Sequence, residues 1–116
     1  MPGGTELSGG NHLLIGDTAA LPALMRKLDG LPADARAIAV IKADYPERPQ
    51  VRGEAELSVY WADENRGLNE VVRGLFLPQD RLNAWIACEA TEAKAICTQL
   101  VEDHGVDPGR LHTIIW

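Results

Sequence analysis

An apolar run that stops at a glycine and turns at once into a helical period constrains this chain more than any other feature. Leu13, Leu14 and Ile15 end at Gly16, and Asp17 and Thr18 lead into residues 19–29, where Leu21, Leu24, Met25 and Leu28 recur at helical spacing. Pro22 is tolerated near the helix start, where its missing N–H has no intrahelical partner, and Gly30 reads as the stop. The stretch predicts a strand, a tight turn and a helix. Such a turn aims free backbone N–H groups and the positive end of a helix dipole at one point, the arrangement that holds a phosphate. A purely structural role is the competing reading, with Gly16 placed at a corner that needs φ > 0. The three-glycine dinucleotide fingerprint is incomplete, because Ala19 and Ala20 stand where further glycines belong.

Further along, residues 36–42, RAIAVIK, form a near-continuous apolar run suited to a strand buried on both faces of a parallel sheet. Residues 44–54 carry Pro46, Pro49, Gly53 and several charges with no apolar period, so a loop is expected. Because 11 residues barely return a chain for parallel pairing, an antiparallel third strand competes with a parallel one. Residues 56–61 alternate Glu56 and Ser58 with Leu57 and Val59, as an edge strand with one wet face does. Leu68, Val71, Val72 and Leu75 then give a helix ending before Pro78. Residues 82–88 are the most apolar strand, and Ala93, Ile96, Cys97, Leu100 and Val101 stripe a helix that ends at Gly105. Residues 111–116 close as a last strand. Strands alternating with helices in this way predict an α/β layer with a mainly parallel five-stranded sheet ordered 3-2-1-4-5.

In such a sheet a ligand sits outside the carboxyl ends of the strands where the order reverses, between the first and fourth strands. Gly16, Asp17, Thr18, Cys88, Glu89 and Ala90 meet there. Composition narrows the ligand. The 116 residues allow one domain with a modest core, and 46% apolar with 24% charged residues is ordinary for a globular protein. A formal charge of −6 argues against nucleic acid. No apolar run approaches the roughly 20 residues of a membrane span. Residues 1–11 are rich in Gly and lack the pattern of a secretory signal, so they read as a linker or an added terminal segment, with the domain at 12–116. Two cysteines, Cys88 and Cys97, fit a reduced cytoplasmic setting.

Three stretches resemble the C-terminal domain of siderophore-interacting proteins. GDTAALPALMRKLDGLP at residues 16–32 is similar to that domain's opening, AWIACEATEAKAI at 84–96 to its strand ending in Trp-x-Ala-Gly-Glu-Ala, and Gly105-Val106-Asp107 with the strand carrying Trp116 to its close. The resemblance implies a three-layer Rossmann-like domain, the NAD(P)H-binding half of a flavin-dependent ferric-siderophore reductase. FAD would be held mainly by an N-terminal β-barrel domain, and ferric siderophore would be the substrate. It places cofactor contacts at Gly16, Asp17, Ala20, Leu21 and Pro22 and at Ala87, Glu89 and Ala90, with Thr18 and Cys88 inside the two motifs and Trp116 as the ring that stacks on a planar group.

The sequence departs from the family pattern in three places. Thr18 replaces a glutamate, Cys88 replaces a glycine where backbone would approach ligand, and Ile114, Ile115 and Trp116 replace Gly-Tyr-Trp. An arginine that the resemblance leads one to expect three residues after Trp61 is Glu64, the nearest being Arg66, so any nucleotide binding is expected to favour NADH or to discriminate weakly. These departures support the alternative of a stand-alone interaction or regulatory module with the same fold and no cofactor. In either case the isolated chain is expected to be inactive and to seek a partner at its open crevice, either the flavin domain or a second copy of itself. Cys88 as a thiol activated at a helix start lacks an adjacent histidine base, and Cys88, Cys97, His104 and His112 lack the close pairs of a zinc site. Trp61 and Trp85 are expected to pack in the core.

Overall fold

The computed structural model describes residues 10–44, 48–78 and 82–115. Strand β1 (Gly10–Asp17) opens two residues ahead of the expected domain start and runs into a 3-10 turn (Thr18–Ala20) and helix α1 (Leu21–Asp29). Strand β2 (Ala35–Lys42), a loop and strand β3 (Glu56–Ala62) follow. Helix α2 (Leu68–Arg73), strand β4 (Leu82–Cys88), helix α3 (Ala90–Glu102), a 3-10 turn (Pro108–Arg110) and strand β5 (Leu111–Ile115) complete the chain. The sheet order is β3-β2-β1-β4-β5, with every neighbouring pair parallel. The loop between β2 and β3 therefore does return the chain for parallel pairing, and the antiparallel alternative is excluded.

Alternation of side chains along the central strands builds two cores, one on each face of the sheet. On one face Leu13, Ile15, Val40, Ala84 and Ile86 pack under α2 and α3 through Leu68, Val72, Ile96 and Leu100. On the other, Leu14, Ala39, Ile41, Trp85 and Ala87 pack under α1 through Leu24 and Leu28. Both α1 leucines are at most 1% exposed, and each contributes about 1.5–3 kcal/mol on burial. Trp61 is half-buried against this second core, beside the β2–β3 loop.

Gly30 stops α1 as expected, at φ −83°, and its N–H donates to the carbonyls of Arg26 and Lys27, both at 3.2 Å. Gly16 differs from the corner that needs φ > 0. Gly16 lies inside β1, and the positive-φ glycines among the described residues are Gly10 and Gly105. What Gly16 requires is room. A Cβ there would meet Ala20 Cβ at 3.0 Å, with Ala87 O and Leu24 Cδ1 each at 3.4 Å. The absent side chain lets the turn after β1 fold tightly back onto the strands.

Candidate functional site at the carboxyl edge of the sheet

The ends of β1, β2 and β4 frame an open cleft of about 480 Å³, lined among others by Asp17, Thr18, Lys42, Asp44, Glu64, Glu89 and Glu92. The two motifs read separately from the sequence do converge, since Gly16 pairs with Ala87 across β1 and β4. Asp17, Thr18 and Glu89 face the cleft. Ala20 is 2% exposed and belongs to the core under α1, against which Leu21 packs half-buried, while Pro22 and Ala90 are exposed. Trp116, expected to stack on a planar ring, lies outside the described residues.

Cys88 ends β4 with no exposed surface and packs in the core beneath α2 and α3. The sulfur therefore fills core volume and does not line the cleft. Burial, reinforced by the nearby charges of Glu92 and Asp17, pushes the Cys88 thiol up to about 12. A nucleophilic cysteine has its thiol depressed, not raised, so neither the burial nor the charges around Cys88 favour a thiolate. Burial also raises the Cys97 thiol. Among the described residues no group of three or more His, Cys, Asp or Glu side chains is placed to hold a metal ion.

The backbone N–H groups expected to be free for an anion are partly taken by the chain itself. Asp17 Oδ1 accepts the Ala20 N–H at 3.3 Å. Glu89 caps α3, its carboxylate oxygens accepting the N–H groups of Thr91 at 3.1 Å and Glu92 at 3.2 Å. Those bonds hold the Glu89 carboxyl below its ordinary range. Thr18 Oγ1 donates to the Lys42 carbonyl at 3.1 Å, tying the first turn to the end of β2. Among the described residues that line the cleft, five are carboxylates and Lys42 is the one cation.

At the rim, Asp63 Oδ1 accepts the N–H groups of Asn65 and Arg66, both at 2.9 Å, which fixes the turn after β3. Arg66, the nearest cation to the expected position, directs its guanidinium toward Gly74, with Nη2 3.6 Å from where a Cβ on that glycine would stand.

Arg48 is a clamp that the sequence did not reveal. Its Nε donates to the Ala43 carbonyl at 2.9 Å, its guanidinium lies 5.2 Å from the Trp61 ring centroid, and Nη2 is 3.8 Å from Asp63. One side chain so fastens the proline-containing loop to the end of β3. The loop has no periodicity, and nothing in the sequence distinguishes Arg48 from Arg52 within it.

A family model described as siderophore-interacting protein matches residues 10–116. Three solved structures are similar. A siderophore utilization protein from T. fusca is 25% identical at a TM-score of 0.73, over 89% of this chain and 42% of that one. The siderophore-interacting protein SipS from Aeromonas hydrophila is 20% identical at 0.76, over 90% and 44%. The siderophore-interacting protein from Acinetobacter baumannii is 18% identical at 0.65, again over 90% and 44%. The chain thus spans less than half the length of these relatives. No curated protein matches it.

Proposed function

Since the chain belongs to the siderophore-interacting protein family, we propose that it is the pyridine-nucleotide half of a flavin-dependent ferric-siderophore reductase, working in the cytoplasm. The flavin is held by a separate β-barrel domain, in the same polypeptide or another. The observation that carries this reading is the cleft at the carboxyl ends of β1 and β4, where a parallel sheet of this order receives its ligands.

The donor chemistry fits one end of the nucleotide better than the other. Carboxylates of Asp17, Glu89 and Glu92 accept hydrogen bonds, which suits ribose hydroxyls and the carboxamide of a reduced nicotinamide riboside. The diphosphate meets Lys42 and helix starts whose N–H groups Asp17 and Glu89 already share. A 2′-phosphate gains nothing from Arg66, which points away. Binding is therefore weak and favours NADH. The bound nucleotide supplies the hydride, and the chain's own part is to orient it toward a flavin at the open edge.

Glu89 and Asp17 as internal caps also favour a second reading, an interaction module that keeps the fold without a cofactor. One experiment separates the two. The purified chain should be colourless and should not oxidise NADH with a ferric chelate, whereas adding a flavin-loaded β-barrel domain should start oxidation. Failure of several such domains to do so would favour the module, and a yellow chain active alone would overturn both.

A further inference from the structure

We propose that a second copy of this chain docks on the edge of β3, forming a two-fold dimer whose apolar groove lies at the amino half of that strand. The crevice expected to attract a partner is rimmed by carboxylates, whereas the exposed large apolar side chains lie elsewhere. Phe76 is 100% exposed and Tyr60 43%, while Ile114, at 47%, lies on the opposite edge strand. Phe76 and Tyr60 line one groove of about 440 Å³ together with Ile38, Ser58 and Leu77, with Arg36 and Glu56 at its charged end.

The groove exists because α2 is short. Its six residues cover Val40 and Ala62, at the carboxyl half of β2 and β3, and leave the amino half open. Among the described residues β3 is an edge strand, with β2 as its one neighbour. From Leu57 to Ala62 it carries no charge, proline or glycine, the devices that ordinarily keep an edge from pairing.

The strand is complementary to its own reverse. Antiparallel pairing centred on Val59 sets Leu57 opposite Trp61 and Ser58 opposite Tyr60, with Glu56 opposite Ala62, so no like charges meet within the strand pair. The same two-fold brings the helix-covered half of one copy alongside the open half of the other. Phe76 offers about 200 Å² per copy, against the roughly 800 Å² per partner of a standard interface. The seven-residue strand edge and the groove walls add to it. The opposite edge, β5, is shorter at five residues.

Sedimentation velocity over a range of concentrations tests the proposal on the full chain. Two exposed positions supply variants that should not disturb the core: Ser58→Lys, which places a charge on the edge, and Phe76→Ser, which removes the exposed ring. The expected result is a wild-type dimer whose dissociation constant rises about tenfold or more in each variant, with unchanged circular dichroism. A wild-type chain that stays monomeric, including one whose β3 edge is instead covered by a different protein, would overturn the proposal. So would a dimer that either variant leaves intact.

Discussion

A Cβ on Gly16 would stand 3.0 Å from the Cβ of Ala20. That methyl belongs to a residue 2% exposed, and the carbonyl of Ala87, at 3.4 Å, is strand backbone, so neither neighbour yields easily. Gly16→Ala should therefore destabilise the fold by about 1–3 kcal/mol, the range of overpacking a core. Urea unfolding measures it, and the double variant with Ala20→Gly should recover part of the loss. Full stability in the single variant would mean that the turn packs more loosely than described. Gly16→Val, with a bulkier side chain at the same point, should destabilise further, so it is no clean probe of ligand approach.

The second prediction concerns Glu89 and pH. Its carboxyl is held low by the N–H groups of Thr91 and Glu92, so the stabilisation is present above the unfolded carboxyl value and is lost as pH falls through the lower folded one. At neutral pH Glu89→Ala should lower Tm. The difference from wild type should shrink as pH drops through the acid range, and a difference that persists at the lowest pH at which both remain folded would contradict the cap.

Cysteine labelling gives a third. With its thiol pushed up to about 12 and no exposed surface, Cys88 should resist iodoacetamide at neutral pH in the native chain. Half-buried Cys97, also raised, should react slowly. Both should label at once in denaturant. Rapid native labelling of Cys88 would return it to the list of reactive groups.

A fourth tests the seam between α2 and α3. Gln99, 5% exposed, donates from Nε2 to the Asn69 carbonyl at 2.9 Å and to the Asn69 side-chain oxygen. Its Oε1 lies 3.2 Å from His104 Nε2, which also reaches the Val72 carbonyl at 3.1 Å. Gln99→Leu keeps the volume but strips buried groups of a partner, and should cost about 1–3 kcal/mol in denaturant unfolding. A neutral effect would mean that water replaces the amide.

The sheet order was legible in the sequence because it follows from periodicity. Apolar runs at 13–15, 36–42 and 82–88 are short and nearly continuous, and the helical stripes favour the order 3-2-1-4-5, with only the direction of the third strand left open. Gln99 was not legible, since a polar residue between Cys97 and Leu100 looks solvated until α2 is placed over it. The state of the helix starts was also hidden. Asp17 and Glu89 read equally well as ligand contacts or as caps, and only atomic distances show the backbone N–H groups already engaged. The fate of the Cys88 side chain required the strand's register, which sends it into the core. Phe76 left no pattern either, because an aromatic just past a helix ordinarily turns inward.

On the proposal above, the cleft between β1 and β4 receives a reduced pyridine nucleotide, and its carboxylates discriminate against an added phosphate. Calorimetric titration of the purified chain with NADH and with NADPH is the decisive measurement. Weak but measurable binding of NADH is expected, with affinity for NADPH lower by about tenfold from like-charge repulsion and loss of the NADH heat when Asp17, Glu89 and Glu92 are replaced by alanine together. Tighter binding of NADPH, or no heat from either nucleotide at millimolar concentration, would contradict the proposal.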